Sequence, residues 1–514
     1  MITLKSYLRG EWIEGQGEGA VLVDPSTGEP VARTSTEGID FAPAVAHARD
    51  VGGPALRAMT FAERGAVLKA LSKAIYENRD ALIEASILNA GTPRSDAKFD
   101  IDGASATLAY YAGLGKKLGE ARWLSEESEQ LTQGARFHGR HVWVARRGVA
   151  MHVNAFNFPA WGLAEKAAVA LLAGMPVISK PATATSLTTF RLMEVLVATE
   201  ALPPGSLQLV CGSAGDLLTH LGAQDVLAFT GSADTGLKLR GLANVLASST
   251  RVNVEADSLN AAVLCPDADD DTYQMFLRDV AKEVTQKTGQ KCTALRRVFV
   301  PSAVIDRVQA DLADHVDRVV IGNPAHKDVR MGPLATKQQL DDYRAGVKLL
   351  LAAGAAVVHG SVTEVELVDA DASKGYFVGP LLLRADDPAN AAAVHEHEVF
   401  GPCTTLMPYD DAAEAVDLVS RGGGGLVAAV YGDDRSVLPE LILGLAPFHG
   451  RILMGSRKVA DQAIPPGLVL PSCVHGGPGR AGGGEELGGE RGLRFYMQRC
   501  AVQGDRALLD KFLG

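Results

Sequence analysis

The chain has no excess of positive charge. Its 50 lysines and arginines are outnumbered by 61 aspartates and glutamates, for a net charge of −11. That argues against a nucleic-acid backbone as the main partner, while leaving room for a local basic pocket. Nor is there a long apolar run. AAVALLAGMPVIS (167–179) falls short of the roughly 20 residues that span a bilayer, and Gly174, Met175 and Pro176 break it. The opening MITLKSYLRGEW lacks the apolar core of a signal peptide. Cysteine is sparse. Cys211, Cys265, Cys292, Cys403, Cys473 and Cys500 are far apart and form no CxxC pair, which in a chain this long reads as reduced thiols. The expectation is a soluble cytoplasmic protein with no membrane or nucleic-acid partner. With 514 residues, 47% of them hydrophobic, it has material for about three domains and a large core.

Its rhythm is mixed. FAERGAVLKALSKAIYENRDALIEASILNAG (61–91) has apolar residues at helical spacing and stops at Gly91. From 149 onward, strand-like pieces alternate with helical ones: VAMHVNA, then Pro159 to Ala173, MPVISK (175–180), SLTTFRLMEVLVATEA, SLQLVCG (206–212), AGDLLTHLGA, VLAFTG (226–231) and RVNVEA (251–256). Such alternation implies parallel βαβ units. It returns after 260, so the fold class is α/β, with two doubly wound parallel-sheet domains in series. GARFHGRHVWVARR (134–147) alternates and suggests a hairpin outside either sheet. Residues 465–492 are too rich in glycine and proline for regular helix or a central strand, and read as a functional loop or an interface.

Candidate chemistry sits at the ends of the predicted strands. FTGSADTG places Gly231, Ser232 and Gly236 where a strand turns into a helix. That suits an ordinary βα turn or a pyrophosphate approached by backbone N–H groups. Lys180 ends MPVISK, where ligands of open α/β sheets bind, although a lone lysine is more often a solvated one. Glu255 ends RVNVE, and a carboxylate in an apolar strand needs a partner or a function. Asn157, in NAFNFP, either caps the next helix or donates to an oxyanion. Cys292, in KTGQKCTALRR, is by itself more readily a buried structural thiol than a nucleophile. HEHE (395–398) spaces its histidines two apart with no partner cluster, so no metal centre is expected.

In order and spacing, NFPAWGLAEK, VISKPATATS, FTGSADTG, VNVEA, GQKC and EVFGP resemble the NAD(P)-dependent aldehyde dehydrogenase superfamily over nearly the whole chain. The resemblance implies roles. Cys292 is the nucleophile; Asn157 and the Cys292 N–H hold the oxyanion; Glu255 activates the water that hydrolyses the thioester. Glu398 holds the nicotinamide ribose with Phe400 beside it, and Lys180 and Ser232 contact the adenosine ribose and the pyrophosphate. Lys166 and Glu490 match polar positions near the active site, as members of a proton path. Many NAD-using relatives have a glutamate three residues after the cofactor lysine. Here Thr183 stands there, so NADP is expected over NAD. EADSLN after Glu255 replaces a glycine pair and puts the local backbone freedom of Glu255 in doubt.

The stretch 474–504 resembles the branch acting on CoA-linked semialdehydes, which makes such an aldehyde the expected substrate. A CoA-acylating enzyme and a silent scaffold of the same fold are the alternatives. The implied domains are 1–133 with 149–258 for the cofactor, 259–465 for the thiol, and 134–148 with 466–514 as an oligomerisation element and C-terminal segment, in a homodimer.

Overall fold

The computed structural model describes residues 1–514. The first sheet orders its strands 251–255, 226–230, 150–153, 177–180, 207–209, 6–8 and 11–13. The first five are parallel, and the N-terminal hairpin adds an antiparallel edge through Leu209 and Tyr7. The second sheet runs 356–359, 381–384, 403–409, 297–301, 261–264, 425–431 and 449–455. All its pairs are parallel except the outer one, 356–359 with 381–384.

Both sheets are covered on both faces, and the side-chain period of two shows it. Ala261, Val263, Phe299, Ala428 and Val430 enter one core, while Ala262, Leu264, Val298, Val300 and Ala429 enter another on the opposite face. The first sheet does the same, with Ala150, Val177 and Val226 on one side and Met151, Ile178 and Leu227 on the other.

Several local expectations change in the folded chain. The helical stretch 61–91 is two helices, Phe61–Glu77 and Arg79–Ala90, and Gly91 ends the second at φ +67°. AGDLLTHLGA yields only a short turn of 3₁₀ helix, Leu217–His220. Asn244 donates to the carbonyls of Leu218, Thr219 and Leu221, so these acceptors are taken before a longer helix can form. The stretch 134–147 is not a hairpin by itself. It is one long strand, Phe137–Ala145, paired with Met497–Asp505 along its whole length and with the short strands Leu124–Ser125 and Glu129–Gln130. This third sheet thus draws in residues before 134, and from the segment 466–514 it takes the strand Met497–Asp505. The glycine-rich segment before it instead forms a hairpin, Val474–Gly477 with Gly484–Leu487, packed against the strand that carries Glu255. Gly482 and Gly484 lie so close to the backbone carbonyl of Val254 that a Cβ on either would collide with it.

Candidate active site

In the first sheet the chain winds from 150–153 outward through 177–180 to 207–209, then returns to add 226–230 on the other side of 150–153. That reversal opens a crevice at the carboxyl ends of the strands, where ligands of such sheets bind. Asn154–Asn157 and Thr230–Ser232 edge it, and Glu255 closes one side. The second sheet approaches with its amino ends: Cys292 precedes the strand 297–301, and Glu398 precedes 403–409.

The loop before Cys292 is held in a costly shape. Lys287, Thr288 and Gly289 have φ of 54°, 55° and 66°, a left-handed conformation that costs a non-glycine residue about 1–2 kcal/mol. Tertiary bonds fix it. Asp96 accepts the Lys287 N–H (2.7 Å), Thr288 donates to the Gly332 carbonyl (2.9 Å), and Asn260 donates to the carbonyl of Cys292 (2.8 Å). Arg296 clamps the rest, donating to the carbonyls of Gly289, Lys291 and Gly401. Asn260 belongs to EADSLN. The unusual residues there brace the loop and leave Glu255 in a regular strand, Arg251–Glu255.

Cys292 is partly exposed, and two cavities meet at it. Ala155, Asn157, Thr230, Glu255 and Cys292 line both. One is an open cleft of about 440 Å³. The other is a narrow chamber of about 40 Å³, closed by Phe158, Trp161, Lys166, Gly467, Val469 and His475.

His475 went unnoticed in the sequence. Its Nε2 lies 3.2 Å from the Glu255 carboxylate and 3.9 Å from the Cys292 sulfur. Burial alone would raise the Glu255 pKa, but His475 and then Lys166 outweigh it and hold the carboxyl below the usual range. The same pairing raises His475 against its burial. Burial, followed by the Glu255 charge, pushes the Cys292 thiol well above its ordinary value. At rest, therefore, a neutral thiol sits beside an ionised carboxylate. Asn157 is buried and donates to the Gln290 carbonyl at 3.0 Å, and its amide has a second N–H to offer.

Lys166 lies in a helix, Trp161–Ala173, that is buried all round. It pairs with Glu165 (3.0 Å) and Glu486 (3.2 Å), and these carboxylates keep it charged despite burial. Glu490 is not there. It is half-exposed at the start of the helix Glu490–Phe495 and pairs with Arg494. The carboxylate beside Lys166 is Glu486, because His475 and Glu486 face each other across the hairpin and share its inward face, while Glu485 points outward. The Glu-Lys pair inside an otherwise apolar helix was the sequence signal available for Glu165; Glu486 had none.

The open cleft collects most of the other candidates. Lys180, Gly231, Ser232, Glu398 and Phe400 line it. No carboxylate pairs with Lys180, and burial lowers its pKa. Ser232 caps the helix Ala233–Arg240. The first N–H of that helix, on Ala233, is already accepted by Asp257, so the anion site expected at this turn is partly filled by the protein's own carboxylate. Gly236 is buried one turn on, where a Cβ would press on Val254; it serves helix–sheet packing and is not in the cleft. Thr183 also lies outside the lining, and its hydroxyl donates to the Gly212 carbonyl. Glu398 accepts the Ser258 N–H with one oxygen (3.1 Å), while the other makes no hydrogen bond and lies 3.5 Å from the Arg296 Nε. Burial raises its pKa to about 7. A buried carboxylate with acceptor capacity to spare, an unpaired lysine and a cleft of this size fit a nicotinamide dinucleotide. His395 of HEHE binds Arg297 and the Pro388 carbonyl instead.

The family model described as the aldehyde dehydrogenase family matches residues 12–502. The chain belongs to the aldehyde dehydrogenase family. As such an enzyme it is 45% identical over 479 residues to the 3,4-dehydroadipyl-CoA semialdehyde dehydrogenase of Aromatoleum evansii, covering 92% of this chain and 93% of that one. The aldehyde dehydrogenase fold recurs in PnpE solved with nicotinamide adenine dinucleotide (TM-score 0.84, 24% identity, 97% of each chain). It recurs again in betaine aldehyde dehydrogenase of Staphylococcus aureus solved with NAD+ (TM-score 0.84, 24% identity, 98% of this chain and 95% of that one). No helix of this aldehyde dehydrogenase is long and apolar enough to cross a membrane.

Proposed function

We propose that the enzyme oxidises a CoA-linked semialdehyde of the 3,4-dehydroadipyl type to the free acid, with NADP as its preferred cofactor. The observation that carries this reading is Cys292 at the junction of the two cavities. It gives the aldehyde one side of the sulfur and the cofactor the other. The 45% identity to the Aromatoleum enzyme supports the substrate class.

The thiol proton passes to Glu255 as the sulfur bonds to the aldehyde carbon. Asn157 and the Cys292 N–H hold the oxygen that gains charge. Lys180, Ser232, Glu398 and Phe400 would hold the cofactor, which would supply the hydride acceptor. Glu255, ionised again, takes a proton from water, whose oxygen attacks the thioester carbon. The acid leaves and the sulfur recovers a proton. Lys166, bridged to Glu165 and Glu486, provides a buried route for protons leaving Glu255. A CoA-acylating enzyme would need no such base. Product analysis with added free CoA separates the two: the free acid should form with no CoA consumed, and a stoichiometric loss of CoA would overturn the hydrolytic reading.

Lys180 supports NADP, since an unpaired ammonium attracts a 2′-phosphate and no carboxylate stands at position 183 to repel one. The missing carboxylate is the basis for the preference, since NAD-using relatives share the lysine and the Thr183 hydroxyl donates to the Gly212 carbonyl. Initial rates with both cofactors should give kcat/KM about tenfold or more in favour of NADP, a difference of about 1.4 kcal/mol; turnover with NAD alone would sink the preference.

Glu398 supplies a pH test. With its pKa raised to about 7, it is protonated below that pH and ionised above, and the ionised form is the stronger acceptor for ribose hydroxyls. The KM for cofactor should fall about three- to tenfold from pH 6 to pH 8. Glu398→Gln should flatten that slope; an unchanged slope in the variant would place the titrating group elsewhere. The third sheet supports a homodimer, because Met497–Asp505 leaves an exposed edge beside the exposed Leu508 and Phe512, and an open strand edge invites a second chain. Equilibrium sedimentation at micromolar concentration reads the mass directly.

A further inference from the structure

The chamber behind Cys292, at about 40 Å³, has room for a slim chain and little more. Phe99, Trp161 and Val469 line it, and the same three line a wider hollow of about 660 Å³ beyond. That hollow shares no lining residue with the cofactor cleft. A substrate whose aldehyde reaches Cys292 through the chamber must leave its bulk there.

The chemistry of the hollow has two parts. Leu468, Val469 and Leu470 make an apolar wall leading out from the chamber, and Lys98, Lys282 and Arg330 stand exposed around it. Lys98 is loosely paired with Asp102 at 3.9 Å. The guanidinium of Arg330 touches only the carbonyls of Lys327 and Val329, and Lys282 enters no side-chain hydrogen bond. The second carboxylate of the lining, Asp96, is turned inward and spent on the Lys287 N–H. In a chain of net charge −11, three cations round one hollow are a local reversal of sign.

We infer that this hollow is the binding site for the nucleotide handle of a CoA thioester, with the pantetheine arm along Leu468–Leu470 and the phosphates against Lys282 and Arg330. The inference rests on the CoA-linked reading given above. An exposed rim charge acts on a polyanion through a screened field, so the subsite is felt in KM more than in kcat.

The test uses three aldehydes of one acyl chain: the CoA thioester, the pantetheine thioester without the nucleotide, and an unlinked aldehyde, each at saturating NADP. The wild type should favour the CoA over the pantetheine thioester by about 30-fold in kcat/KM, chiefly through KM, and raising the salt should narrow that ratio. In Lys282→Glu/Arg330→Glu the ratio should fall to about threefold or less. Should the double variant fold poorly, Lys282→Gln alone and the inhibition constant of adenosine 3′,5′-bisphosphate against the unlinked aldehyde read the same site; the constant should rise in the variant. A ratio or inhibition constant unmoved by these changes overturns the subsite and leaves the CoA-linked substrate standing. A wild type with no preference for either thioester over the unlinked aldehyde overturns both.

Discussion

Cys292→Ala is expected to lower kcat by about 10⁴-fold or more while leaving cofactor binding within about twofold. Loss of a covalent nucleophile removes the whole route, as truncations of other nucleophiles do. The substitution deletes one sulfur at the junction of the two cavities and leaves Lys180, Ser232, Glu398 and Phe400 in place. Stopped-flow NADPH absorbance measures the first part and fluorescence titration the second. Retained turnover would mean that another group attacks the aldehyde. Alkylation is a less direct probe than the substitution, because Cys473 and Cys500 are also exposed and consume reagent; aldehyde protection of activity, not thiol count, is the informative readout.

Glu255→Gln should give a slowed burst of NADPH of at most one per site, because the thiol also loses its proton acceptor, followed by a stall, with the steady state lowered about 10²- to 10⁴-fold, the range of a lost general base. The amide keeps the shape of the side chain but cannot take the proton from water, so the thioester on Cys292 persists and mass spectrometry should detect it. His475 adds a finer expectation. It holds Glu255 ionised against burial. Without it the carboxyl pKa rises, and the base is lost at pH values where the wild type retains it. His475→Gln should therefore lower the rate near neutrality and recover it at higher pH, moving the acid limb of kcat upward. An acid limb in the same place would show that the imidazole packs beside Glu255 without governing it.

Much of this architecture was legible because parallel strands covered on both faces leave continuous apolar runs such as VLAF and MPVIS, and because helices separate them in turn. The residues at the ends of those runs, Lys180, Glu255 and the Thr230–Ser232 turn, could be placed in the crevice on topology alone. The rest depended on contacts far apart in the chain. Lys287 and Thr288 have no propensity for the left-handed region they occupy; Asp96, Arg296 and Gly332 impose it from outside. GGGEELGGERG offers three glutamates to one lysine, and only the register of the hairpin selects Glu486 over Glu485 and Glu490. His475 lies in the same segment, remote in sequence from both groups it touches. Gly236 and Thr183 lie outside the cleft lining, Gly236 packed on Val254 and Thr183 bonded to the Gly212 carbonyl.

The hairpin also sets an order in time. Its strands, Val474–Gly477 and Gly484–Leu487, leave the ribosome after Val254, Glu255 and Cys292, yet they press on the backbone of Val254 and bring His475 and Glu486 to Glu255 and Lys166. Until the hairpin docks, a buried Glu255 has Lys166 but lacks His475, the larger of the charges that offset its burial. The charge balance around Glu255 and Cys292 is thus completed only when the hairpin folds back onto the first sheet.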